Sequence, residues 1–229
     1  MHIPWPIAKP LQRQAPSPCL VLCIGRVLPS PVPSLSRPGP RARSSRAIVR
    51  GEIDAVYQLG HPIGFQSQIY AGETHFCRPL YDPAGEPNAL KTLVETYPPR
   101  MRQALIDKHL FDAQFEIEIS LGPAGRSDFA YVSQCLARAT GFMVLVLYAL
   151  NQRFFLNEKN AFIESEHFAL HPDNFHSAVE RILGSLGNSS AEMTRSVMAM
   201  RAVAADLRGF CAEKLPLTPA WGVPWVRRA

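Results

Sequence analysis

The run Ala139–Leu150, ATGFMVLVLYAL, constrains this chain more than any other stretch. It is apolar on every side, and a helix with no polar face must lie at the centre of its domain. It is the second half of Asp128–Lys159, whose first half alternates apolar and polar residues at helical spacing. Ser133, Gln134 and Arg138 interrupt the segment, whereas a bilayer span calls for about 18 or more uninterrupted apolar residues. The segment therefore reads as the middle helix of a bundle, not a membrane element, ending in the polar Asn157-Glu158-Lys159.

The flanking sequence supplies the other helices. Pro99 suits a first helical position, and Ile106, Leu110, Ala113, Ile117 and Leu121 then recur every three or four residues until Gly122-Pro123-Ala124-Gly125. Asn157 is placed to cap a short helix carrying Ala161 and Phe162. Pro172 opens another, with Phe175, Val179, Ile182 and Leu186 on one face and Gly187 at its end. Ser189-Ser190-Ala191-Glu192 is a capping box. It starts a last long helix striped with Met193, Val197, Met200, Ala204, Leu207 and Cys211.

Before residue 99 the pattern is mixed. Ala47–Gln58 reads as a short helix and then a strand with Ile53, Ala55 and Tyr57 on one face. Gly60-His61-Pro62-Ile63-Gly64-Phe65 is a loop, and Phe65–Phe76 reads as a short helix. Arg78–Pro83 is extended because residues before proline avoid the helical region. Pro87 opens a helix bearing Leu90, Leu93 and Val94. The expected fold is mainly α: an antiparallel helical bundle with a short α/β N-terminal remnant and a disordered Pro/Arg-rich tail. The divisions are 1–45 (Pro/Arg-rich), 46–98 (remnant or linker), 99–214 (bundle) and 215–229 (irregular tail).

The tail sets the charge. Residues 1–50 hold eight Lys or Arg and no acid, while residues 51–229 hold 16 basic and 19 acidic residues, 16 − 19 = −3. The helical part is thus mildly acidic and nothing in it demands nucleic acid. Ten of the 21 prolines fall within the first 40 residues. That composition opposes both a packed core and an amphipathic transit helix. Two readings stand for 1–45: a segment foreign to the domain, from a wrong start or a frame error, and a disordered tail. Five scattered cysteines without framework spacing point to a reducing, cytoplasmic setting.

Three pieces carry a resemblance: Gly60-His61-Pro62 with Gly64-Phe65, Leu80-Tyr81-Asp82-Pro83, and Leu156-Asn157-Glu158-Lys159. Together with the long helices, they resemble the C-terminal part of bacterial nucleotidyltransferase-domain proteins, whose catalytic domain is similar to kanamycin nucleotidyltransferase and the polymerase-β superfamily. The resemblance covers residues 46–211. It implies transfer of a nucleotidyl group from a nucleoside triphosphate to an acceptor, with Mg²⁺ held by an Asp-x-Asp pair behind a Gly-Ser turn. Those two elements precede the GHP-like loop in the family; here the Pro/Arg-rich segment occupies their place. The only Gly-Ser pair is Gly184-Ser185, and no Asp-x-Asp occurs. The expectation is a chain that is inactive alone, with possible partners a nucleoside triphosphate, a separate catalytic domain or a second copy of itself. A helical binding or interaction module without catalysis is the alternative.

The candidate site residues follow. Glu52 and Asp54 would converge on a metal if they lay on a strand, whose side chains repeat every two residues; otherwise they form a solvated edge. His61, Asn157, Glu158 and Lys159 are the candidates for a nucleotide or acceptor, against an exposed loop histidine and a helix-capping segment. Glu73, Glu116 and Glu118 read as solvated helix faces more readily than as bases. Glu116/Glu118 and Glu164/Glu166 diverge on a helix and cannot chelate together. His75-Phe-Cys77, Cys19-x-x-x-Cys23 and His167-x-x-x-His171 lack the further ligands a zinc site needs.

Overall fold

The computed structural model describes residues 40–56 and 60–217. Its elements in order are α1 (Pro40–Val49), β1 (Ala55–Val56), β2 (Phe65–Gln66), α2 (Ile69–Phe76), α3 (Glu86–Leu93), α4 (Pro99–Gly125), α5 (Phe129–Leu150), α6 (Ala161–Ser165), α7 (Phe175–Gly184) and α8 (Ser190–Ala212). The fold is a helical bundle with one two-stranded antiparallel ribbon, in which Ala55 faces Gln66 and Val56 faces Phe65.

α5 is the core. Every residue from Phe142 to Leu150 is buried, on all faces of the helix. By length and composition α5 is also apolar enough to cross a membrane, which the interruption argument from sequence denied; 61% of its most apolar window is buried inside the fold. Burying each large aliphatic side chain contributes about 1.5–3 kcal/mol. Asp128 caps the helix by accepting from the Tyr131 N–H. The far end stops at Leu150, seven residues before Asn157, and Arg102 Nη2 donates to the Leu150 carbonyl at 2.8 Å. A basic side chain there satisfies a carbonyl with no helical partner.

The long helices declare their directions through side-chain pairs. Arg102 meets Leu150 and Glu116 meets Arg138, so α4 and α5 are antiparallel. Ser190 meets Gly125, Arg201 meets Glu118 and Gln103 meets Pro216, so α4 and α8 are antiparallel too. α5 and α8 therefore run parallel, and the segment with α6 and α7 returns the chain between them. Ser189 and Glu192 form the expected reciprocal capping box of α8.

Several boundaries moved. α1 begins at Pro40, so the helix reaches into the segment read as foreign or disordered; Ser45 is buried and its hydroxyl bonds Thr74 at 3.0 Å. A proline at the first helical turn costs the helix no bond. α4 runs through Pro123 to Gly125, since that proline lies in the last turn. Phe65 begins strand β2 instead of a helix, and α7 ends at Gly184, before Gly187. The readings on residues 1–39, Tyr57, and the tail from 218 lie outside the described residues.

Candidate functional site

The site is assembled where the loop before α2 meets the segment after α5. Gly60 and Gly64 take φ of +88° and +80°, a left-handed conformation that favours glycine. Between them the Gly64 N–H donates to the His61 carbonyl at 2.9 Å, and Gln66 Nε2 donates to the Ile63 carbonyl at 2.8 Å. The turn directs Ile63 into the core, 6% exposed, and leaves His61 at the surface of the bundle.

Two close approaches lock this unit to α5 and its continuation. A Cβ on Gly141 would lie 2.7 Å from Ile63 Cγ2. A Cβ on Gly72 of α2 would lie 2.9 Å from the Phe155 carbonyl oxygen and from Leu156 Cδ2. The absence of a side chain at each position lets the GHP loop sit on α5 and lets residues 154–156 lie against α2. Phe154 stacks on His75 with ring centroids 4.4 Å apart. Lys91 Nζ donates to the His75 and Cys77 carbonyls, both at 2.7 Å, closing the end of α2.

Docked in this way, the two stretches share a side-chain pair. His61 Nδ1 stands 3.0 Å from each carboxylate oxygen of Glu158, across 97 residues of sequence. Both side chains are about one-fifth exposed. The edge of one ring meets the face of the other between His61 and Phe65, with centroids 5.3 Å apart. The histidine read as an exposed loop residue without a partner thus has one, and the candidates His61 and Glu158 form a single unit. Asn157 is not the helix cap: its Oδ1 accepts from the Lys159 N–H at 2.9 Å, and Asn160, at φ +63°, precedes α6. An Asx turn there competes with capping because the nearest open N–H is two residues on. Lys159 is exposed.

Glu52 and Asp54 fall just before β1 and are exposed. Glu52 accepts from Arg50 Nε at 2.8 Å, and that guanidinium holds its carboxyl below the usual range. Asp54 Oδ1 accepts from the Ala55 N–H at 2.8 Å, and Ser67 Oγ accepts from the Asp54 N–H at the same distance. Both acids border one open depression of about 560 Å³ with Ile53, Phe65 and Tyr70. Their carboxylates are drawn to separate partners, and among the described residues no three His, Cys, Asp or Glu are grouped to hold a metal ion. These residues do not fit the Mg²⁺ site that the resemblance implies.

The helix-face glutamates are also corrected. Glu116 is buried and accepts from Arg138 Nε at 2.7 Å; Glu118 pairs with Arg201 at 2.7 Å beside a cavity of about 200 Å³ between α4 and α8. Each points to a different neighbouring helix, as their two-residue spacing requires. Glu73 is half-buried on α2. Sequence reasoning missed two histidine sites. His109 is fully buried, with Nδ1 at 3.1 Å from Asp112 and Nε2 at 3.2 Å from Gln68. His176 Nε2 lies 2.8 Å from the Ser165 hydroxyl. Both stand on apolar faces in the sequence, and the one local signal is Asp112, three residues on from His109 along the same helix. His171 Nδ1 bonds the Pro172 carbonyl, and its ring meets His176 edge-on.

Comparison of the chain with protein-family models, with curated proteins and with solved structures finds no match.

Proposed function

We propose that this chain is the helical, acceptor-side part of a nucleotidyltransferase, binding a nucleoside triphosphate or its acceptor and not transferring the nucleotidyl group alone. One observation carries the reading. Two of the three stretches that carry the resemblance, Gly60-His61-Pro62 and Leu156-Asn157-Glu158-Lys159, meet through the His61–Glu158 pair although 97 residues separate them. Lys159 beside it offers an exposed point charge of the kind that pairs with phosphate. Glu52 and Asp54, engaged with Arg50 and Ala55, supply no metal clamp, a contribution of several kcal/mol to phosphoryl chemistry. Each 1.4 kcal/mol is about tenfold in rate, so losing about 4–7 kcal/mol costs on the order of 10³–10⁵.

The second reading is a helical interaction module. Phe76, Leu80 and Tyr81 are 58%, 79% and 84% exposed, and such side chains suit a partner's surface.

Calorimetric titration with ATP, GTP, CTP and UTP, followed by incubation with Mg²⁺, labelled triphosphate and a panel of aminoglycoside, nucleotide and protein acceptors, separates the readings. Saturable binding of at least one triphosphate, weakened by Lys159→Ala, is the expected result, with no label transferred. Transfer above the buffer control overturns the claim of inactivity. No binding of any triphosphate or acceptor leaves the interaction module, which sedimentation then tests as self-association.

A further inference from the structure

An ionised carboxylate only accepts hydrogen bonds. With both Glu158 oxygens 3.0 Å from His61 Nδ1, the proton of the neutral imidazole belongs on Nδ1, and the lone pair falls to Nε2. Nε2 has no hydrogen-bond partner among the described residues, although the ring's other nitrogen is tied to the carboxylate. The ring reaches solvent, 19% exposed, and cannot turn freely: Phe65 meets it edge-on, and the Gly60–Gly64 turn holds its backbone through the Gly64-to-His61 bond. A carboxylate orienting an imidazole that reaches solvent, with its far nitrogen unpaired among the described residues, is an arrangement for accepting a proton.

We propose that His61 is the general base for a hydroxyl-bearing acceptor and that Glu158 is its positioning residue; this rests on the nucleotidyltransferase reading. A hydroxyl is the class that needs such a base, because a neutral amine already presents a free electron pair. As the acceptor O–H bond breaks, its proton goes to His61 Nε2. The oxygen's electron pair forms a bond to the α-phosphorus of a nucleoside triphosphate. The bond from that phosphorus to the bridging oxygen breaks, and its pair leaves with pyrophosphate. The imidazolium left on His61 lies against the Glu158 carboxylate, which stabilises the charge. The triphosphate is supplied to this surface by groups outside the His61–Glu158 pair.

Nitrogen NMR of the full chain at pH 8, above the ordinary imidazole range of about 6.5, reads the tautomer directly. The expected result is His61 protonated at Nδ1 and bare at Nε2. Reaction with diethyl pyrocarbonate, followed by mass spectrometry, reads the availability of that lone pair. Carbethoxylation of His61 should slow by about threefold or more in Glu158→Ala and recover in Glu158→Asp, because the carboxylate selects the reactive tautomer. An Nε2–H tautomer in the unaltered chain, or equal rates in Glu158→Ala, overturns the proposal without reliance on any variant's fold in the first case. Titrating the same NMR sample with ATP separates the two claims. The expected tautomer without any response to ATP or another triphosphate defeats the nucleotide reading and leaves the basic nitrogen. A response to ATP with the wrong tautomer defeats the base alone.

Discussion

Gly141 of the central helix lies directly beneath Ile63 of the GHP loop: a methyl group there would stand 2.7 Å from Ile63 Cγ2 and 3.4 Å from Cδ1. Glycine inside a helix is worse than alanine by about 1 kcal/mol, so this position gives up local stability for a contact. Gly141→Ala should lower stability by about 1–3 kcal/mol, as overpacking a buried contact does, in spite of the better helix former. In an Ile63→Ala background, which lacks both the Cγ2 and Cδ1 methyls, Gly141→Ala should cost less. Urea midpoints of the two single variants and the double variant check this, and strict additivity would refute the contact.

Acid should weaken the fold through its buried histidines. Burial is the main cause that holds the His109 and His176 rings below the usual imidazole range; Asp112 opposes the shift at His109, and His171 adds to it at His176. The unfolded rings take up protons near pH 6.5, about where free imidazole does, while the folded rings resist. The unfolded state then binds more protons, so stability is full above that value and is lost as pH falls through it. Each ring can contribute up to about 1.4 kcal/mol per pH unit. Denaturant unfolding between pH 7.5 and 5.5 should show the decline, and His109→Gln with His176→Gln should flatten it. An unchanged slope would locate the pH dependence elsewhere.

Removing Arg138 should cost more than removing its charge partner. Glu116 is buried on α4, and Arg138 on α5 is its ion-pair partner at 2.7 Å. Arg138→Ala leaves a carboxylate in a poorly solvated place and should destabilise by about 1–3 kcal/mol, the range for an orphaned buried polar group, tempered by the arginine's exposure. Glu116→Gln keeps a hydrogen-bond acceptor and should cost less. Thermal melts at pH 7 give the ranking; the reverse order would mean that Glu116 reaches water without Arg138.

Two thiols should be silent in the native chain. Burial pushes Cys135 up to about 11, with Glu116 adding to the shift, and pushes Cys211 up to about 12. The nucleophile is the thiolate, so both should react with a disulfide reagent at pH 8 only after unfolding. Counting titrated thiols by peptide mapping before and after guanidinium checks this. Native labelling at Cys211 would show that the α8 packing opens readily.

The sequence by itself determined the parts decided within a few turns of chain. The all-apolar run Phe142–Leu150 had to be buried, Pro99 opened α4, and Ser189 with Glu192 opened α8, because caps and helical period depend on neighbours three or four residues away. The resemblance likewise marked His61, Glu158 and Lys159 individually. Only the tertiary structure decided what they meet. His61 acquired Glu158 across 97 residues, Glu116 acquired Arg138 across 22, and His109 acquired Gln68 across 41. Such pairs depend on how helices dock, and here the docking turns on Gly141 and Gly72, where one added methyl group would meet a neighbour within 3 Å. No periodicity encodes that approach. The same limit explains Asn157: its side chain found the Lys159 N–H, two residues away, before it could reach the helix it was expected to cap.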